Sequence, residues 1–358
     1  METVKFGIVG CGKIAKRHAN LLSKGEIPGA ELSAVCDLDQ KRADAFASEF
    51  GVRAFYDPNK MAGSDDIDAL TILTPSGFHA KNVVELAPFG KPIVVEKPMA
   101  LRLDDADQVI QACDQHGVKL FVVKQNRFNV PVVQLSNALR ENRFGKLVLG
   151  TVRLRWCRPQ AYYDEAPWRG TWEHDGGVLT NQASHHIDLL VWMMGEVESV
   201  FAKSSKALAN IEAEDTAVVT LKFRNGALGV IEATTATRPN DLEGSLSILG
   251  EKGSVVVGGF AANQLSTWQF SDARPEDEDI FEKHGSNPKH AFGYAHMKYY
   301  EHVVDCIRNN KQQLVDGLGG RKSLELISAI YESIETGKEI PLNFSPKRCR
   351  LGHPSEIA

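Results

Sequence analysis

Val4-Lys-Phe-Gly-Ile-Val-Gly10-Cys-Gly12-Lys-Ile-Ala15 is an apolar run closed by two glycines and followed by helical periodicity. A strand, a tight turn and a helix in that order begin a βαβ unit. Gly10 permits the turn, Gly12 lets the backbone approach a pyrophosphate, and Ala15 allows close packing of helix on strand. The helix start at Lys13 and Ile14 offers free N–H groups to phosphate. An acid, Asp37, ends the next apolar segment 27 residues after Gly10. An acid there hydrogen-bonds the adenosine ribose diol and repels a 2′-phosphate, which favours NAD over NADP. Lys41 and Arg42 follow; they either moderate that preference or sit solvated on the next helix.

Outward from this stretch the pattern repeats. Short continuous apolar runs at 32–36, 69–73, 93–95 and 120–123 alternate with helical periodicity at 14–22, 40–50, 78–87 and 103–116. Continuous apolar strands each followed by a helix indicate a parallel sheet buried on both faces. Residues 1–125 therefore read as a doubly wound, dinucleotide-binding α/β domain. From 126 to 358 the texture changes to an α+β domain with a large, mainly antiparallel open sheet. Alternating runs lie at 146–157, 197–207, 213–223, 226–237, 242–249 and 254–258, with Arg-Asn-Gly at 224–226 as a hairpin signal. Helical patterns return at 177–194, 296–309 and 321–334; 271–290 reads as a long acidic loop and 345–358 as a tail.

The chain has 358 residues, 43% of them hydrophobic and 24% charged, with net charge −5, which excludes disorder and disfavours a nucleic-acid binder. No apolar run approaches a membrane span, and the strand at the very start leaves no room for a signal peptide. The six cysteines have neither CxxC pairs nor zinc-type spacing, so no metal is expected and the thiols read as reduced, in the cytoplasm.

Three further features carry chemistry. Glu96-Lys97-Pro98 follows the strand at 93–95, and strand ends in such sheets face the ligand, so Lys97 can hold a substrate hydroxyl and assist proton removal. Gly176-Gly177 opens a helix on which Asn181, His185 and Asp188, spaced i, i+4, i+7, share one face. His185 is suited to proton transfer near neutral pH; Asp188 either orients that imidazole or serves as a structural acceptor. Between Lys124 and Arg169 there are nine basic residues against three acids, and three of the five tryptophans lie at 156, 168 and 172. Arginine clamps suit phosphate and carboxylate, and aromatic faces suit sugars and bases. Arg158 and Arg169 stand beside these aromatics, which fits an anionic glycosyl substrate.

The fingerprint continued to His18, Glu96-Lys97-Pro98 and the Gly-Gly helix with its histidine together resemble the Gfo/Idh/MocA oxidoreductases over nearly the whole chain. Asn181 stands where most members carry Asp. Val122-Val-Lys-Gln-Asn-Arg127, Arg158-Pro-Gln-Ala-Tyr-Tyr163, Trp168-Arg-Gly-Thr-Trp172 and Asn181-Gln-Ala-Ser-His185 resemble one branch, the UDP-N-acetylglucosaminuronate 3-dehydrogenases. The resemblance implies NAD-dependent oxidation of the 3-hydroxyl of that UDP-sugar to a 3-keto sugar, which feeds a PLP aminotransferase in surface-polysaccharide (lipopolysaccharide) synthesis. It implies Lys97 and His185 as the acid–base pair. It also implies cofactor contacts at Thr74, Pro75, His79, Glu96, Lys97, Gln125, Trp168 and Arg169, and substrate contacts at Lys97, Lys124, Arg158, Tyr163, Asn181 and His185. It further implies NADH recycling by 2-oxoglutarate in some members, and a homodimer or homotetramer built through the C-terminal sheet. The competing expectation is an NAD(P)-dependent dehydrogenase of a free sugar or inositol. A non-catalytic dinucleotide sensor would tend to lack Lys97 and His185.

Overall fold

The computed structural model describes residues 3–343 and 345–354. The chain forms two compact units, Met1–Gln125 with Lys289–Arg321, and Asn126–Pro288 with Lys322–Ala358.

The first unit alternates strand and helix: β1 (Val4–Val9), α1 (Lys13–Ser23), β2 (Ala30–Cys36), α2 (Gln40–Phe50), β3 (Arg53–Phe55), α3 (Pro58–Ala62), β4 (Ala69–Ile72), α4 (His79–Leu86), β5 (Ile93–Val95), α5 (Leu103–Gln115) and β6 (Leu120–Val122). The strands pair in parallel in the order β3-β2-β1-β4-β5-β6. The central strands β4 and β5 are buried at every residue, as the unbroken apolar runs require. The three-residue β3 and the single turn of α3 escape sequence reading because neither is long enough to establish a period.

In the second unit come α6 (Val130–Arg140), β7 (Leu147–Arg155), α7 (Gln160–Asp164), α8 (Ser184–Met194), β8 (Val197–Ser205), β9 (Thr216–Phe223), β10 (Leu228–Thr234), β11 (Glu243–Gly250), β12 (Gly253–Gly258), β13 (Gln264–Phe270) and α9 (Ile280–His284). Then follow α10 (Tyr294–Arg308), which belongs to the first unit, α11 (Gly317–Thr336), and β14 (Ile340–Pro341). The sheet order is β13-β12-β11-β7-β10-β9-β8-β14, antiparallel except for the β7–β10 pair. Helix α8 packs on one face at Gly150, where an added Cβ would stand 2.7 Å from Met194. The Arg-Asn-Gly turn joins β9 to β10, with Gly226 at φ +88. Glu232 on the other face meets Arg155 bidentately.

Four expectations are corrected. Residues 289–321 were expected within the second domain but complete the first unit: α10 buries Tyr299, Tyr300, Val303 and Val304, and Tyr300 meets Phe6 of β1 edge-on at 5.6 Å. The helix expected from 177 begins only at Ser184: the Ala183 N–H bonds the Val178 carbonyl, an i to i−5 turn, while the Val178 and Leu179 N–H groups bond the Glu214 carbonyl and carboxylate. Within 271–290, α9 forms and Arg143 grips Asp277 through two nitrogens at 2.8 and 2.6 Å. The described part of the tail is docked: Glu332 Oε2 accepts the N–H groups of Lys347, Arg348 and Cys349, and Leu351 is buried. Residues 355–358 lie outside the described residues.

Candidate functional site

Because all six strands of the first sheet run in parallel, their carboxyl ends share one edge, the ligand edge of an open α/β sheet. Gly10 and Gly12 follow β1, Asp37 follows β2, Thr74 and Pro75 follow β4, Glu96 and Lys97 follow β5, and Lys124 and Gln125 follow β6. The sequence-predicted cofactor residues of this unit therefore converge.

Gly10 has φ +95, and a Cβ there would lie 2.9 Å from the Leu73 backbone, so only glycine fits. Beside Gly12 nothing lies within 4 Å of where a Cβ would stand, and this residue caps α1 with no side-chain hydrogen bond. Open space before uncapped helix N–H groups fits a pyrophosphate. Asp37 is held by the Cys11 and Asp39 N–H groups, each at 2.9 Å, with Arg42 at 3.5 Å. The residues present thus fit NAD: the glycine turn for its pyrophosphate and the Asp37 carboxylate for its adenosine ribose.

His79 is buried, and its ring nitrogens each lie 2.7 Å from a carbonyl, Thr74 on one side and Pro98 on the other. The ring pins the loop after β4 to the loop after β5. Burial lowers its pKa while the two carbonyls oppose that shift. Thr74 Oγ1 donates to Asn82, so His79 and Thr74 shape this edge from behind. Glu96 is buried and accepts the Lys97 N–H at 2.9 Å. Lys124 is buried, and Gln125 begins a short 3-10 turn.

In the second unit His185 lies in the first turn of α8, half-buried, while Asn181 precedes the helix and donates to Asp175 at 2.6 Å. The expected shared helical face thus keeps His185 and Asp188 but loses Asn181. Asp188 is buried and takes Arg127 in two hydrogen bonds. His186 is fully buried edge-on to Trp156, and burial lowers its pKa to about 4.

The arginine–aromatic segment folds on itself. Arg158 lies over Trp156 and Tyr162, and its Nη1 meets Asp241 at 2.9 Å. Arg169 lies 4.2 Å above the Tyr162 ring and beside Trp168. Tyr163 is buried, its hydroxyl bonded to Thr235 at 2.8 Å, and burial pushes its pKa up to about 12. Tyr163 and Arg169 nonetheless line a cavity of about 350 Å³ with Asp164, Asn210 and Glu212.

Sequence reasoning missed Glu214 and Tyr331. Glu214 Oε1 accepts from the Leu179 N–H and the Tyr331 hydroxyl, each at 3.0 Å, and Tyr331 also meets Thr180 at 2.9 Å. A Cβ at Gly177 would stand 2.2 Å from the Glu214 carbonyl, so the Gly-Gly turn leading to His185 is moulded onto this pair. Gly177 itself is the one sequence signal that a close backbone approach occurs there. Among the described residues, no helix is long and apolar enough to cross a membrane.

Comparison with known proteins agrees with this geometry. The family model "Oxidoreductase family, NAD-binding Rossmann fold" matches residues 4–124, and "Oxidoreductase family, C-terminal alpha/beta domain" matches 137–342. The chain is similar to the crystal structure of the WlbA dehydrogenase from Bordetella pertussis in complex with NADH and UDP-GlcNAcA, at 43% identity and TM-score 0.90, over 96% of this chain and 99% of that one. The WlbA structure from Chromobacterium violaceum, with the same two ligands, matches at 42% identity and TM-score 0.89, over 96% and 97%. Among curated proteins, the scyllo-inositol 2-dehydrogenase (NAD(+)) of Bacillus subtilis is 25% identical over 98% of each chain. With its glycine turn, its Asp37 and both family models in register with the two halves of the chain, this protein belongs to the Gfo/Idh/MocA family of oxidoreductases, and its cofactor is NAD.

Proposed function

We propose that this oxidoreductase oxidises the 3-hydroxyl of UDP-N-acetylglucosaminuronate to the 3-keto sugar. The observation that carries the reading is the similarity, above 40% identity over nearly full length, to two WlbA dehydrogenases whose structures contain NADH and UDP-GlcNAcA. Support comes from the basic, aromatic stretch between Lys124 and Trp172, a composition that a neutral polyol would not require. NAD, when bound, supplies the hydride acceptor. Lys97 and His185 act as the acid–base groups that take the hydroxyl proton as the C3 hydrogen leaves with its electron pair. Arg158, with Lys124, Tyr163 and Asn181, serves to hold the substrate. The keto product suits a PLP-dependent transamination.

The experiment is the absorbance of NADH at about 340 nm on purified protein, first with UDP-N-acetylglucosaminuronate and then with 2-oxoglutarate. A rise on the sugar supports the substrate, and a fall on the oxo-acid supports recycling in place. No rise, with NAD binding verified, overturns it and favours the second reading, oxidation of a free sugar or inositol, which the inositol dehydrogenase relative supports. The open sheet face, which exposes Phe201, Val218 and Leu228, is proposed to pair with a second copy. A monomer by sedimentation would overturn that.

A further inference from the structure

The fingerprint runs on to His18, and nothing above uses that residue. His18 lies on α1 and is wholly buried. Its Nε2 stands 3.2 Å from Glu96 Oε1, and its Nδ1 stands 2.7 Å from the Tyr300 hydroxyl on α10. The other oxygen of Glu96 accepts the Lys97 N–H at 2.9 Å. A carboxylate only accepts, so Nε2 carries the ring proton and the Tyr300 hydroxyl donates to Nδ1. A single chain of donors thus runs from Tyr300 through His18 to Glu96, whose far oxygen caps the Lys97 backbone. His296 packs edge-on against His18 at 5.6 Å, with its Nε2 buried and without a hydrogen-bond partner. His18, Glu96 and His296 bring donor atoms within 4.8 Å of one another. Both nitrogens of His18 are already engaged, so this is a hydrogen-bond network and not a cation site.

We propose that His18, backed by Tyr300, is a positioning residue that keeps Glu96 ionised beside Lys97 and thereby sets the pH at which Lys97 exchanges its proton. The proposal rests on the acid–base reading of Lys97. Burial by itself would push the Glu96 carboxyl up. The hydrogen bond from His18, together with the charge of Lys97, overcomes burial and holds the carboxyl well below its usual range. A carboxylate that feels the Lys97 charge in turn favours the ammonium form of the lysine. Without His18, burial wins, Glu96 takes a proton, and Lys97 gives up its own proton at lower pH. The other groups facing Glu96 stay neutral through this range. Burial draws His296 down to about 3, burial lowers His79, and burial lifts the Tyr299 and Tyr300 hydroxyls far above neutrality. Arg17, which faces His296, keeps its charge throughout.

The test is competitive acetylation of Lys97 by acetic anhydride across pH, read by mass spectrometry on the full chain. His18→Leu should lower the midpoint of Lys97 reactivity by about one pH unit, and Tyr300→Phe should lower it by less. His18→Gln, whose amide can still donate to Glu96, should restore the midpoint. Where turnover is measurable, its rising pH limb should move with the labelling. An unmoved midpoint in folded His18→Leu overturns the proposal; if that variant does not fold, an unmoved midpoint in Tyr300→Phe does so. Labelling that shifts in a protein inactive on UDP-sugars would overturn the substrate reading and leave this proposal standing.

Discussion

Arg127 and Asp188 meet fork to fork inside the second unit, Nε to Oδ2 at 2.8 Å and Nη2 to Oδ1 at 2.9 Å, with the guanidinium 4.7 Å from the Trp192 ring. Asp188 sits one turn after His185, so the pair anchors the helix that carries the expected acid–base histidine. Removing one partner leaves a buried charge alone. Asp188→Leu should cost about 3–5 kcal/mol in urea unfolding, and adding Arg127→Met should recover much of that loss. A loss below about 1 kcal/mol for the single variant would mean that water reaches the pair.

Lys97→Ala and His185→Ala should each lower turnover by about 10²–10⁴, with NAD affinity preserved. Steady-state rates alongside fluorescence titration with NAD check both halves. Unchanged turnover removes the residue concerned from the chemistry.

Glu214 gives a pH signature. Burial lifts its carboxyl to about 7, against the hydrogen bonds of Leu179, its own backbone and Tyr331. A raised carboxyl means that the folded state binds a proton which the unfolded state has lost. Its contribution to stability is therefore absent as a cost below the unfolded pKa, and the cost grows as pH rises from there toward about 7. Glu214→Gln should gain in Tm relative to the natural protein as pH rises from 5 to 7. A Tm difference that stays flat with pH would place the carboxyl in the ordinary range.

Arg158→Ala should raise KM about 10-fold and change kcat less than twofold, if its charge holds an anionic substrate. Its bond to Asp241 makes Asp241→Asn the natural control, since that variant releases the guanidinium without deleting it. An unchanged KM in Arg158→Ala would leave the arginine as packing for Trp156.

The first sheet was readable because its strands are continuous apolar runs with glycine-marked ends, and the hairpin at Asn225-Gly226 because its turn chemistry is local. The cofactor edge was equally legible, since parallel pairing carries Gly10, Asp37, Thr74 and Lys97 to the same end. Long-range partners were not. Nothing in the spacing of residue 300 announces a hydrogen bond to His18, and the periodicity at 177–183 suggests helix although the Ala183 N–H closes a wider turn on the Val178 carbonyl and Glu214, far along the chain, holds the segment's first N–H groups. Likewise the tail looks polar and expendable until Glu332 is seen gathering three of its amides.

The return of Lys289–Arg321 to the first unit bears on biosynthesis. Synthesis proceeds from the N-terminus, so the six-stranded sheet leaves the ribosome long before the segment bearing Tyr300, which covers Phe6 and closes on His18. Until then a partly uncovered apolar layer waits while seven of the eight strands of the second sheet are made. Expressed alone, a fragment ending at residue 125 should be poorly soluble. Joining 289–321 to it by a short linker should yield a nascent-chain mimic that stays in solution.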